Sequence, residues 1–150
     1  MIKFSSTKAE AQLTETIVNK AFHDFTEAIY LWEKWLYQCK VERRNAENDS
    51  PILDKRAHAE LLTIFSVYVT KKGRNYDRLE NLVCSAHPEY EFEKNSVEID
   101  IINKSMATVV FKKKHGTALI YRLTFLISDG AYTIKKREFQ DQEKWQNTYI

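Results

Sequence analysis

Glycine and proline are almost missing from this chain, with three and two respectively in 150 residues. So few breakers exclude a fold of many short elements joined by tight turns, and favour long uninterrupted ones. Cysteine is as scarce. Cys39 and Cys84 stand far apart in no pairing motif, which argues against a disulfide scaffold and for two reduced, buried thiols. No long hydrophobic run occurs, and Met-Ile-Lys-Phe-Ser-Ser-Thr at the N-terminus lacks the basic and apolar regions of a signal peptide. The expectation is a cytoplasmic protein with no membrane partner. Charge of one sign is lacking too. With 23 basic and 21 acidic residues the net charge is +2 and the pI about 8.4, which by itself points to neither nucleic acid nor a membrane surface.

What is present is core material. The chain is 43% hydrophobic and 13% aromatic, enough for one domain spanning residues 1–150. Thr7-Lys8-Ala9-Glu10 fits a capping box. Beyond it Leu13, Ile17, Ala21, Phe25, Ala28, Trp32, Trp35 and Cys39 follow in steps of three and four, with Val18, Phe22, Ile29 and Leu36 on the flank. That spacing predicts one long helix whose tryptophans pack in the core. A polar stretch, Glu42 to Asp49, separates it from a second helix opened by Ser50-Pro51. Leu53, Ala57, Leu61, Phe65 and Tyr68 make the apolar stripe of that helix, and Lys71-Lys72-Gly73 reads as its C-terminal stop.

After Arg74 the period changes to two. Val97, Ile99 and Ile101 alternate with Glu98 and Asp100; Ala107, Val109 and Phe111 begin a further strand after the Asn103-Lys104-Ser105 turn. Lys114-His115-Gly116 turns the chain into a strand from Thr117 to Ile127, and Asp129-Gly130 is a hairpin signal before Tyr132-Thr133-Ile134. Helices followed by hairpin-linked strands predict an α+β fold, with the helices on the apolar face of an antiparallel sheet.

Catalytic chemistry has little to stand on. His23, His58, His87 and His115 are scattered, and no His-Glu-x-x-His, Cys-x-x-Cys or glycine-rich phosphate loop occurs. No metal, no cofactor and no catalytic residue are expected. Lys112-Lys113-Lys114 and Lys135-Lys136-Arg137 read as solvated strand ends rather than a phosphate track, so no nucleic acid is expected either. The acidic run Glu89, Glu91 and Glu93, alternating with Tyr90 and Phe92 and followed by Glu98 and Asp100, reads as a charge-protected strand edge or as a surface for a basic partner. The last fifteen residues, Lys136 to Ile150, are polar yet carry Phe139, Trp145, Tyr149 and Ile150. Aromatics in such a segment imply packing, and the expectation is a structural lid in which Trp145 and Tyr149 cover the sheet's open edge or mouth.

Tyr121-Arg122-Leu123, Ser128-Asp129-Gly130 and Tyr132-Thr133-Ile134 resemble the nuclear transport factor 2-like fold. Trp32-Glu33, Ile64-Phe65, Tyr68, Thr70-Lys71-Lys72, Pro88-Glu89-Tyr90, Glu143-Lys144-Trp145, Asn147 and Tyr149-Ile150 narrow the resemblance to the immunity proteins of that fold in bacterial polymorphic toxin systems. One departure is that Lys135 stands where the family commonly has an acid. The resemblance implies long N-terminal helices held in the concave face of a curved, cone-like antiparallel sheet. It implies a non-enzymatic binder, monomer or homodimer, that neutralises a cognate toxin C-terminal domain; Glu89, Glu91, Glu93, Glu98 and Asp100 are the candidate toxin-binding residues. Other members of the broad fold are isomerases and dehydratases that work inside the cone, so an acid–base enzyme is the alternative reading and an RNA-binding adaptor the third.

Overall fold

The N-terminal apolar periodicity becomes helix α1, Lys8–Arg43, and Pro51 opens helix α2, Pro51–Tyr68. The structure, a computed structural model, describes residues 8–43, 51–115, 119–128 and 130–150. The expected caps Thr7 and Ser50, most of the polar stretch to Asp49, Gly116 and Thr117 of the expected turn and strand start, and Asp129 of the hairpin signal lie outside them.

Helix α1 buries a different line from the one its spacing suggested. Val18, Phe22, Phe25, Ile29, Trp32 and Leu36 are buried, whereas Leu13 is 60% exposed and Ile17 36%. The reason is rotational. Each four-residue step overshoots a full turn by about 40°, so the run Leu13, Ile17, Ala21, Phe25 wanders about 120° around the axis. The supposed flank of Val18, Phe22, Ile29 and Leu36 is therefore the centre. Helix α2 buries Leu53, Ala57, Leu61 and Phe65 as expected. Trp32 ties the two helices, its indole Nε1 donating to the Ala57 carbonyl at 2.9 Å.

The expected helix stop at Gly73 is displaced. α2 ends at Tyr68, because the next residues gain sheet partners instead: Val69 makes a parallel bridge with Ile134, and the Thr70 amide donates to the Ile134 carbonyl at 2.9 Å. Gly73, at φ +57°, serves the turn beyond.

Five strands follow among the described residues: β1 Glu98–Asn103, β2 Met106–Lys112, β3 Ile120–Ser128, β4 Ala131–Asp141 and β5 Lys144–Thr148. They lie side by side in chain order, all antiparallel, in a sheet that does not close. Helix α1 packs along β1 and α2 against β4, so both helices cover one face of the sheet. Ala107, Val109, Phe111, Tyr121, Leu123, Phe125 and Ile134 project into that covered face. The α+β architecture expected from the sequence is the one present.

A single inserted residue shapes the rest. On β4, Ile134 pairs with Phe125 but Lys136 pairs with Thr124, leaving Lys135 as the extra residue of a β-bulge. Side-chain alternation restarts out of phase beyond it, so Lys136 points away from the helices and Arg137 points in. The last fifteen residues complete β4 and form β5 after a turn at Gln142 and Glu143, whose φ values are 49° and 68°. The outer edge of β4 is thus covered in two halves, by Val69 and Thr70 beside Ile134 and by β5 from Arg137 onward.

The placement of α1 is directly testable by urea unfolding. Phe22→Ala should lower stability by about 3–5 kcal/mol, the usual cost of emptying a buried aromatic site. Leu13→Ala should stay within about 0.5 kcal/mol of the parent. Comparable losses at both positions would contradict the rotation described.

Candidate functional site

The interior holds four charged side chains brought together from four segments. Glu33 comes from α1, Arg78 from the short turn Asp77–Leu79, Glu89 from the loop before β1, and Arg137 from β4. Arg78 is 2% exposed and bridges the two acids: Nη2 donates to Glu33 Oε1 at 2.8 Å and Nη1 to Glu89 Oε2 at 2.6 Å. The other Glu89 oxygen, Oε1, lies 2.8 Å from Arg137 Nη1. Two carboxylates and two guanidiniums alternate, so the cluster is neutral.

Glu33 does more than balance charge. Its Oε2 accepts from the Ser85 amide at 3.2 Å and its Oε1 from the Glu89 amide at 3.1 Å, so it holds the loop at both ends. Aromatic rings close the cluster. The Arg137 guanidinium lies 4.6 Å from the Tyr121 ring centre, 5.5 Å from Tyr90 and 5.7 Å from Tyr149, while Arg78 stands 5.7 Å from Trp32. The Tyr90 hydroxyl donates to the Ile150 carbonyl at 3.3 Å. Hydrogen bonding is nonetheless incomplete: Nε of Arg78, and Nε and Nη1 of Arg137, have no acceptor of suitable geometry among the described residues.

The electrostatics follow from the packing. Burial alone would raise the Glu89 carboxyl, but the Arg137 and Arg78 guanidiniums outweigh it and hold the acid below its ordinary value. Burial likewise opposes the charge on Arg137, and the surrounding Tyr90, Glu89 and Tyr121 more than restore it. The Tyr90 phenol, deprived of water, is pushed up to about 12. These three shifts each move Glu89, Arg137 and Tyr90 away from neutrality.

This changes the reading of the acidic run. Glu89 faces inward as the centre of the ion-pair chain, because it lies in a turn and two cations draw its side chain in. The segment becomes extended only beyond it, at an isolated bridge from Phe92 to Lys113. Glu91 lies 2.9 Å from His115 Nε2, whose ring stacks on His87 with centres 4.3 Å apart. Glu93 is exposed. Glu98 and Asp100 are exposed on β1, on the sheet face turned from the helices. The structure therefore separates the five carboxylates. It groups Glu98 with Asp100 and leaves Glu93 one short turn away.

Arg137 and Arg78 are the residues that the sequence reading missed. Arg137 sat in a basic triplet taken for a solvated strand end, yet it is 2% exposed. Its inward phase depends on the bulge at Lys135, which no alternation pattern announces. The Tyr121 ring faces the Arg137 guanidinium, which Glu89 reaches from another segment. The terminal aromatics are placed as parts of the sheet's last edge. Trp145 on β5 is half-buried beneath the Arg122 guanidinium at 4.3 Å, and Tyr149 stands beside Arg137.

The sheet face away from the helices carries mostly polar residues in cross-strand rows, exposed at Glu98 and Asp100 and buried at Thr124 and Glu138. One row runs Glu98, Val110, Arg122, Glu138 and Asn147; the next runs Asp100, Thr108, Thr124 and Lys136. Arg122 is engaged by Glu138 at 2.9 Å. Both rows are acidic at β1, and the second ends in a cation at β4.

Among the described residues no group of three or more His, Cys, Asp or Glu side chains could hold a metal ion, and no helix is long and apolar enough to cross a membrane. Two helices on one face of an open antiparallel sheet, closed inside by aromatics and a neutral ion-pair chain, define an α+β protein of the nuclear transport factor 2-like class. The model of the NTF2 fold immunity protein family matches residues 17–149, and the chain belongs to that family. No curated protein and no solved structure matches it. Trp32-Glu33 and Pro88-Glu89-Tyr90, two of the motifs on which the resemblance rested, meet at the ion-pair chain.

Breaking the chain at its centre tests its weight. Arg78→Met leaves the buried Glu33 without a cation and Glu89 with Arg137 alone, and should lower stability by about 3–5 kcal/mol. Glu89 adds a pH signature. Its folded pKa lies below the ordinary 4.5, so its contribution is complete above that value and fades as pH falls through the depressed one. Glu89→Gln, measured by chemical unfolding across pH, should therefore be much less stable than the parent at pH 7, with the gap narrowing below about pH 4.5. A gap that is constant with pH would place Glu89 outside the ion pairs.

Proposed function

We propose that this chain is a bacterial immunity protein that binds and neutralises a cognate toxin domain of a polymorphic toxin system in the cytoplasm of the producing cell. It acts by binding rather than by catalysis. The observation that carries this reading, beside the family, is what fills the interior. Phe25, Phe111, Phe125 and Tyr121 occupy the space between helices and sheet, and the ionisable groups there are tied to one another. A general acid or base needs a reachable proton and a cavity for substrate. Neither demand is served by Glu89 held between two guanidiniums.

Recognition then falls to the outside. The sheet face turned from the helices is the favoured docking face, since its cross-strand rows present exposed charge on the edge strand β1. Glu98, Asp100 and the nearby Glu93 would meet basic groups of the toxin, as complementary charge sets encounter rate and partner choice. Glu89 belongs to the scaffold of that surface, and Glu91 to its His115 contact.

Co-expression with the toxin domain encoded beside this chain tests the reading. Growth rescue together with a co-purifying complex is the expected result; continued killing with no complex would remove it. Within a complex, Glu93→Lys with Glu98→Lys and Asp100→Lys should slow association about tenfold or more at low salt, with stability nearly unchanged. Association rates equal to the parent's would move the interface elsewhere.

A further inference from the structure

The covered edge of β4 has a gap, and the gap is basic. Between the Val69–Thr70 cover and the end of β5 lies a cavity of about 320 Å³ lined by Lys72, Arg74, Lys135, Lys136, Asn147 and Thr148. Its lining carries four cations and no carboxylate. Arg74 is engaged by Asp77 at 2.8 Å and Lys136 loosely by Glu138 at 3.7 Å, whereas Lys72 and Lys135 have no ion-pair partner among the described residues.

The pocket is built rather than incidental. Asn75, 5% exposed, forms its floor; its side-chain amide donates to the Thr70 carbonyl at 2.8 Å and to the Lys135 carbonyl at 2.7 Å. One buried side chain therefore locks the Lys72–Arg74 turn against the bulge. Gly73, at φ +57°, lets that turn reverse with no Cβ strain, and the bulge displaces Lys135 from the regular row toward the gap.

The geometry points to this pocket as the seat of an acidic segment of the partner toxin, an Asp or Glu carboxylate bound between Lys72, Lys135 and Lys136 with Asn147 at its rim. This rests on the toxin-binding reading above. Two observations favour a protein carboxylate over nucleic acid. The four basic residues line one half-open pocket instead of tracking a line, and no aromatic side chain lines it to stack a base. Location links the pocket to the docking face. Lys136 shares the row of Asp100, and Asn147 that of Glu98. From β1 to β4 is three strand spacings, about 14 Å, within the span of one ordinary interface. A single toxin surface with a basic patch and an acidic one can meet both ends, and the opposed signs fix which way round it docks.

The test uses the full chain and the toxin domain encoded beside it, by calorimetry and kinetics. Lys72→Gln, Lys135→Gln and Lys136→Gln combined should weaken binding at least tenfold, leave the melting temperature unchanged, and flatten the salt dependence of the affinity. A charge swap, Lys135→Glu against an Asp→Lys or Glu→Lys change in the toxin, should recover part of the loss. If the parent binds and the triple variant binds equally well, the pocket inference is overturned while toxin binding stands. If the parent itself does not bind, the toxin reading fails and takes this inference with it. A single-stranded RNA oligonucleotide whose binding the triple variant abolishes, with toxin affinity unchanged, would overturn the choice of a protein carboxylate.

Discussion

Two guanidiniums lie inside this protein, and the rest of the structure is arranged around keeping them paired. Arg78 and Arg137 are each 2% exposed. A buried charge without a partner costs several kcal/mol, so Glu33 and Glu89 must both be in place before the fold is acceptable. The four residues come from a helix, a short turn, a loop and a strand that are distant in sequence. Meeting that one requirement therefore positions α1 over the sheet, pins the loop at Ser85 and Glu89 to α1, and sets the register of β4. Such chains contribute little net stability relative to well-packed apolar groups. What this one contributes is arrangement: apolar side chains could fill the same volume in several ways, but the alternation of acid and base admits few.

The arrangement bears on function through what it leaves unavailable. The interior charges are tied to one another, and the rings of Trp32, Tyr90, Tyr121 and Tyr149 lie against them. The unpaired charge lies on the surface instead, acidic at β1 and basic at the gap in the β4 edge. A molecule of net charge +2 can thus present both signs at once to a partner. Separation of the signs, rather than their sum, is what a docking surface can read.

Much of the fold was legible in the residues because it rests on local periodicity. Pro51, the α2 stripe, the alternation from Ile99 to Ile101 and from Ala107 to Phe111, and the apolar face of β3 all register within one element. Three things were not legible, each for a physical reason. Steps of four in α1 look like a stripe yet precess around a helix of 36 residues, which hid the true inward line. The alternating Glu89–Glu93 run imitates a strand; its first carboxylate is drawn inward by cations more than ten residues away in sequence on one side and more than forty on the other. The inward phase of Arg137 depends on a bulge, and a bulge is decided by pairing across the sheet.

That bulge joins the interior to the proposed surface. Without the inserted residue, strict alternation from the buried Ile134 would send Lys136 inward and Arg137 out to solvent. With it, Arg137 reaches Glu89, Lys136 joins the outer row that begins at Asp100, and Lys135 is left at the gap with its carbonyl held by Asn75. The same irregularity completes the ion-pair chain on one side of the sheet and furnishes the basic pocket on the other. Stability and recognition are therefore not independent here. A change that restores regular pairing at Lys135 would remove the cation that the core requires and the pocket that the partner would read. For that reason β4, and not the more exposed β1, is the strand on which the inside and the outside of this protein depend together.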